Sequence, residues 1–240
     1  MHLRLISYNI RKAKGGWRHR TSSREIGEAL MSRSPDIVLC QEVFHSYGPG
    51  GVNQSAEISE RLGIPAAYGA NAVYSKGHHG NATLTRFDIL ASRNFDLSTN
   101  PIERRGVLWG LIDVEGQPLH VFNTHLGLNR RQRRRQVARI ADAIEALAVK
   151  DQPLILGGDF NDWTGRLDAF VRERCGVESS RERLTAVAHA SYPNLRPLLS
   201  LDRLYWRGLE LESLQVLQGE PWIRISDHLP LEATFRLRSP

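Results

Sequence analysis

The sequence predicts a single-domain α/β protein, and three observations carry that expectation. The chain of 240 residues falls within the size of one large domain and holds no long Pro/Gly/Ser linker and no internal repeat, so one domain over residues 1–240 is expected. Hydrophobic residues make up 41% and charged residues 24%, which supplies a sizeable core and excludes a disordered chain. Short apolar runs bounded by Gly or Pro alternate with longer stretches whose apolar residues recur at helical spacing.

Residues 2–9 alternate like a strand and stop at Ser7-Tyr8-Asn9, before a basic, glycine-containing loop. Thr21-Ser22-Ser23 offers capping hydroxyls to a helix carrying Ile26, Ala29 and Leu30, and Pro35 ends it. The run Ile37 to Cys40 is the next strand, with Gln41 and Glu42 just beyond it. A helix is expected over 53–62, and then Tyr68 to Tyr74 leads into the stretch Lys76 to Arg86, which contains His78, His79 and Asn81. Adjacent histidines on an extended chain face opposite sides, so they do not suit one metal ion; phosphate contact from His79 or Asn81 fits better. Strands over 87–98, 107–114 and 119–122 follow, and the last of these delivers His125.

Asn129 to Gln136 is rich in arginine. Val137, Ile140, Ala141, Ile144 and Leu147 continue it as an amphipathic helix, which places most of Arg130 to Arg135 on a solvated face; a nucleic-acid patch is the other reading. Pro153 to Leu156 reads as a buried strand opening through Gly157-Gly158 into Asp159, Asn161 and Asp162. An ordinary turn explains that stretch equally well when it is taken alone. A helix over 166–174 precedes the least legible region, to about 197. Strands over 201–206 and 231–235 bracket Ser226-Asp227-His228, where a carboxylate can fix an imidazole's tautomer and charge.

Thirty-two Lys and Arg against 26 Asp and Glu give a net charge of +6, which favours polyanions: nucleic acid, phosphorylated metabolites or anionic lipid surfaces. Two cysteines are too few for a disulfide framework. The first residues lack the apolar core of a signal peptide and no run reaches membrane-spanning length, so a cytoplasmic location is expected.

Strand ends thus supply Asn9, Glu42, His125, Asp159 with Asn161, and Asp227 with His228. Carboxylates of this kind suit Mg²⁺ or Mn²⁺, a carboxylate can take a proton from an attacking water, and imidazolium or amide donors can stabilise a charged phosphoryl transition state. The sequence carries no Walker loop, no paired-Cys zinc site and no Gly-x-Ser-x-Gly elbow.

The motifs Tyr8-Asn9-Ile10, Gln41-Glu42, Gly80-Asn81-Ala82, Thr124-His125-Leu126, Gly158-Asp159-Phe160-Asn161, Leu201-Asp202-Arg203-Leu204 and Ser226-Asp227-His228-Leu229-Pro230 occur in an order that resembles the endonuclease/exonuclease/phosphatase superfamily. The likeness runs from residue 3 to about 237. It implies a four-layer α/β/β/α sandwich of the DNase I type, two packed mixed β-sheets flanked by helices, with the site where loops converge at one sheet edge. It also implies that Glu42, with Asn9 and Asp227, holds the divalent metal, that Asp159 activates water, and that Asn161 supports the phosphate. His228 matches the family histidine paired with Asp202, and His125 resembles the second histidine of the DNase I and sphingomyelinase branches. Arg11 stands where abasic-site endonucleases carry an acid, which disfavours that branch.

The expectation is a metal-dependent phosphodiesterase acting on nucleic acid, with no obligate protein partner evident. Phospholipid headgroup cleavage is the alternative; for it, the sequence offers a small membrane contact at Trp222-Ile223. A non-catalytic polyanion-binding module is a third reading, opposed by carboxylates where such a module needs positive charge.

Overall fold

The computed structural model describes residues 1–16, 19–149, 152–183 and 188–237. Its elements in chain order are β1 (His2–Asn9), α1 (Ser23–Met31), β2 (Ile37–Ser46), α2 (Gln54–Leu62), β3 (Ala66–Tyr74), β4 (Gly77–Thr85), β5 (Asp88–Asp96), β6 (Gly106–Val114) and β7 (Gln117–His125). There follow α3 (Arg130–Leu147), β8 (Leu154–Asp159), α4 (Asp168–Cys175), β9 (Glu178–Ser179), β10 (Asp202–Arg207), β11 (Leu209–Val216), α5 (Trp222–Ile225) and β12 (Leu231–Leu237).

The strands form two six-stranded mixed sheets, β11-β12-β1-β2-β4-β3 and β5-β6-β7-β8-β10-β9, with helices flanking them. In each sheet one parallel pair, β1 with β2 and β7 with β8, sits among antiparallel neighbours. Leu39, Val121, Ile155, Trp206 and Phe235 belong to the main buried cluster, in which Trp206 of the second sheet packs on Phe235 of the first at 5.4 Å. A second cluster seats Val137, Ile140 and Ile144 of α3 and Val171 of α4 on Phe122, Leu156 and Tyr205. The four-layer arrangement follows because each sheet buries both faces, one on the other sheet and one beneath helices.

Local signals explain several boundaries. Ser22 and Glu25 make a reciprocal capping box at the start of α1, and Asn129 caps α3. Gly63 ends α2 in the left-handed conformation. Gly157 lets the sheets approach closely, since a Cβ there would press on Leu39 and Leu204. Gly158, at φ 135°, turns the chain where a side chain would meet the Thr124 carbonyl.

Some elements differ from the sequence expectation. β2 does not stop at Cys40 but runs on to Ser46, and a bulge between Cys40 and Val43 lifts Glu42 out of the ladder at φ 56°. The bulge re-aims one side chain without ending the strand, which is how an internal residue can behave as though it stood at a strand end. Residues 66–85 form the hairpin β3-β4, and β11 was not anticipated. Trp222 is no surface contact: it is buried, edge-on to Tyr8 at 5.8 Å, because its indole fills the space beside β1. In α3, Arg130, Arg131, Arg134 and Arg135 are exposed, but Arg133 is buried, donating to the carbonyls of Gly127 (3.2 Å) and Leu128 (2.6 Å). Among the described residues, no helix is long and apolar enough to cross a membrane.

Candidate active site

Strand directions bring the C-terminal ends of β1, β7 and β8 together with the N-terminal ends of β6, β10 and β12 at one pole of the sandwich. Asp159, the last residue of β8, is fully enclosed there. Its Oδ2 accepts from Asn9 Nδ2 at 3.0 Å, and its Oδ1 accepts from the Asn161 backbone N–H at 2.9 Å. That second bond requires Asn161 in the left-handed region, at φ 48°. Two imidazoles face the same Oδ2: His125 Nε2 at 3.4 Å and His228 Nε2 at 3.7 Å.

The other nitrogen of His228 lies 2.8 Å from Asp202 Oδ2, which also accepts from Ser191 Oγ at 2.6 Å, while Asp202 Oδ1 is buried without a partner. Tyr192 packs on the imidazole at 4.9 Å. Burial alone would discharge His228, but Asp202, then Asp159 and Asp227, outweigh it and raise its pKa well above the ordinary value. Asp159 is raised above the ordinary carboxylate range, first by burial and also by Asp202, with His228 pulling the other way. One imidazolium thus serves two buried acids, and the acid with the shorter hydrogen bond holds it.

His125 behaves oppositely. Burial lowers its pKa, Arg105 and His228 add to that, and the ring stays neutral. Arg105 Nη1 approaches His125 Nδ1 at 3.3 Å and the Asn161 amide nitrogen approaches Nε2; both are donors, and they compete for the single acceptor nitrogen of the neutral ring. Arg105 is itself held by Glu103 at 3.0 Å. Asn161 Nδ2 lies 3.1 Å from His125 Nε2 and donates to the Leu126 carbonyl.

The acids Glu42 and Asp227 are partly exposed, and each faces a cation from the short turn Arg11–Ala13: Lys12 Nζ stands 3.9 Å from Glu42 and Arg11 Nε 3.2 Å from Asp227. Arg11, Lys12 and Ala13 all have φ near +50° (48°, 55° and 52°), an uncommon conformation for residues other than glycine and one that aims the turn at the site. Asn9, which donates to Asp159, accepts from the Arg11 backbone N–H at 3.0 Å. Amide and carboxylate oxygens of this kind suit a hard divalent ion, and each of the two carboxylates is partnered by a cation that offsets part of its charge. A distinct group of ligand atoms, from Asp159, Asp202 and His228, lies within 4.8 Å of one another. Within it the His228 imidazole and the Asp202 carboxylate are directly hydrogen-bonded.

Of the two residues expected to touch phosphate through the stretch 76–86, His79 is buried beneath Tyr74, with its Nδ1 unpartnered. Burial, Lys12 and Arg105 lower its pKa to about 4. Asn81 is placed differently: its Nδ2 donates to the carbonyls of Gly106 and Asn123, both at 3.1 Å, so its amide hydrogens tie the two sheets together. Asn123 does the same from the other side, accepting from Gln41 at 2.9 Å and donating to Cys40 and Ala82 carbonyls. The sequence reading missed Asn123, Arg105, Lys12, Ser191 and Tyr192. Of these, Asn123 carries a sequence signal that could have found it, a polar residue next after the run Leu119 to Phe122.

Comparison with known proteins agrees with this fold. A model of the Endonuclease/Exonuclease/phosphatase family matches residues 6–228. The chain is 33% identical to the uncharacterized protein YbhP of Escherichia coli (strain K12), covering 98% of this chain and 96% of that one. In fold it is similar to an endonuclease/exonuclease/phosphatase from Beutenbergia cavernae DSM 12333, with a TM-score of 0.83, 19% identity, and coverage of 98% of this chain and 72% of that one. It also resembles a mannosyl-6-phosphatase of Bacteroides thetaiotaomicron VPI-5482, with a TM-score of 0.75, 24% identity and coverage of 97% and 99%. A humanized D. rerio TDP2 aligns with a TM-score of 0.75, 19% identity and coverage of 98% and 99%. With its two six-stranded sheets and its motifs matched over nearly their full span, the chain belongs to the endonuclease/exonuclease/phosphatase family.

Proposed function

We propose that this chain is a divalent-metal-dependent phosphodiesterase that hydrolyses its substrate by attack of water. The observation that carries the reading is Asp159, a buried carboxylate oriented by Asn9 and Asn161 and flanked by one neutral and one charged imidazole. An acid held above its ordinary pKa is a better proton acceptor than a surface carboxylate, so Asp159 takes the proton of the attacking water.

His228, kept charged by Asp202, donates from Nε2 to the phosphoryl oxygens as negative charge builds on them. Neutral His125 lies beside it between Arg105 and Asn161, and Asn161 holds the phosphate. His79, with its free Nδ1, contributes at the margin, and Asn81 acts through the frame. Asn9, Glu42 and Asp227 would hold Mg²⁺ or Mn²⁺, which neutralises charge on the phosphoryl oxygens when bound. A binding module has no use for two buried acids at its centre, which disfavours the non-catalytic reading.

Mg²⁺-dependent hydrolysis of bis(p-nitrophenyl) phosphate, plasmid DNA, RNA and a phospholipid panel, measured side by side, tests the reading. Activity on at least one diester that disappears on chelation is expected. Inertness toward all of them, with the fold intact by circular dichroism, overturns it.

A further inference from the structure

On the second-sheet side of the catalytic pole five large apolar side chains project into water: Ile102, Leu128, Trp163, Leu195 and Leu198, with Ile102 at 93% and Leu198 at 73% exposure. Four loops carry them, and each loop adjoins a site residue. Residues 97–105 end in Arg105, 126–129 follow His125, 160–167 follow Asp159, and 193–201 run from beside Tyr192 to Asp202. The loops meet one another or the site: the Leu128 N–H donates to Glu103 at 3.1 Å, and the Asn194 N–H donates to the Asp227 carbonyl at 2.8 Å.

The same pole is basic. Arg104, Arg130, Arg131, Arg134, Arg166 and Arg196 are all exposed on these loops or on the first turns of α3. The neighbouring acids are spent: Glu103 is paired with Arg105, and Asp162 with buried Arg203 at 3.1 Å.

Cations among exposed apolar groups fit either nucleic acid or an anionic membrane, and the chemistry of the apolar groups decides between them. Nucleic-acid platforms use rings on which bases stack. Four of these five side chains are aliphatic, which cannot stack but gain by entering hydrocarbon; the ring among them is a tryptophan, and Tyr47 and Tyr74, exposed where β2 and β3 end, are rings equally suited to the membrane interface. Isolated exposed leucines need no explanation, but a set gathered around one site does.

We infer that this pole docks on an anionic lipid surface, the aliphatic side chains entering the acyl boundary while the arginines meet lipid phosphates. The scissile phosphodiester is then that of a membrane lipid, a statement that rests on the phosphodiesterase reading, whereas the docking itself does not.

The test measures sedimentation of the full chain, without divalent metal, with vesicles of phosphatidylglycerol and phosphatidylcholine in equal parts and with pure phosphatidylcholine vesicles. Anisotropy of a labelled DNA duplex is read in parallel. Binding to the anionic vesicles that weakens with salt is expected. The variant Ile102→Ser/Leu128→Ser/Leu198→Ser should lose roughly tenfold or more in vesicle affinity, because apolar burial drives part of it, with hydrolysis of bis(p-nitrophenyl) phosphate unchanged. Arg131→Gln/Arg134→Gln/Arg166→Gln should flatten the salt dependence, a second measurement should the serine variant fail to fold.

No binding to anionic vesicles overturns the docking, as does vesicle binding indifferent to both variants. Tight duplex binding without vesicle binding assigns the pole to nucleic acid, and a dimer dissolved by the serine variant assigns it to a second copy; either result overturns the inference. Hydrolysis of the soluble diester without vesicle binding removes only the docking, and vesicle binding without any hydrolysis removes only the catalytic reading.

Discussion

Asp202 Oδ2 stands 2.8 Å from His228 Nδ1 and 2.6 Å from Ser191 Oγ, so the carboxylate that charges the imidazole is fixed before any substrate arrives. Ser191 belongs to the segment that sequence reading could not interpret, and its hydroxyl is what prevents Asp202 from rotating away.

Asp202→Asn should therefore lower kcat by about 10²- to 10⁴-fold, the usual contribution of a positioned proton-transfer group, with little change in KM. The pH profile carries the sharper signal. Asp202 raises the pKa of His228, so if the imidazolium is the donor, activity should fail as pH rises through that raised value. Without the acid the pKa falls, and the alkaline limb should move to lower pH; a limb that stays in place would rule out His228 as the charged donor.

Asp159→Asn and His228→Ala should each cut turnover by about 10²- to 10⁴-fold while substrate affinity moves little, since both groups act as charge develops. Groups serving one step are not additive, so the double variant should lose less than the product of the single losses. Near-normal turnover in Asp159→Asn at saturating Mg²⁺ would remove it from the role of proton acceptor.

Glu42→Gln should weaken Mg²⁺ binding in a calorimetric titration without unfolding the protein, because this half-exposed side chain is present for its charge. Lys12→Met should move affinity the other way, since it removes the cation 3.9 Å from that carboxylate. Equal affinities in all three proteins would take Glu42 out of the ligand set.

Within the arginine-rich start of α3, one position should differ in kind. Arg133→Gln removes donors to the Gly127 and Leu128 carbonyls and a cation 4.0 Å from Asp162, and should cost about 1.5–3 kcal/mol. Exposed Arg131→Gln should stay within about 0.5 kcal/mol of the parent. Urea denaturation of the two variants checks the contrast.

His189 is buried against Ser180 Oγ, and burial, reinforced by Arg203, lowers its pKa to about 4. The folded chain keeps it neutral while the unfolded chain protonates it near the ordinary value of 6.5. Between those two values the unfolded state binds the extra proton, so stability should fall as pH drops from 6.5 toward 4 and then level off. His189→Gln should make the decline in Tm shallower across that window; an identical decline would show that other histidines set it.

Most strands and helices were legible because their signals are local: period-two runs for β1 and β7, capping hydroxyls for α1, and the apolar stripe of α3; the pairing of the strands into two sheets came only with the family resemblance. The site residues were legible as polar groups at the ends of apolar runs. What failed to show depended on distance in the fold. Glu42 looked like the end of a strand because a bulge has no composition of its own. Trp222 looked available for a membrane because nothing in Pro221-Trp222-Ile223 reveals that Tyr8 lies over it. Arg133 was indistinguishable from its neighbours until Asp162 and the Gly127 carbonyl came into place. Arg105, 20 positions before His125, gave no local sign that it would lie against that ring.

The bonds from Asn9 to Asp159 and from His228 to Asp202 both span the sandwich, joining β1 and the loop that leads into β12 of the first sheet to strands of the second. Catalytic alignment is thereby made a measure of how the two layers slide on each other. A change deep between them, such as trimming Trp206 where it meets Phe235, alters no group that touches substrate yet shifts one half of the proton-transfer apparatus against the other. Heat should act the same way, so turnover should fade a few degrees before the sandwich comes apart, the chemistry sensing shear that the melting curve does not.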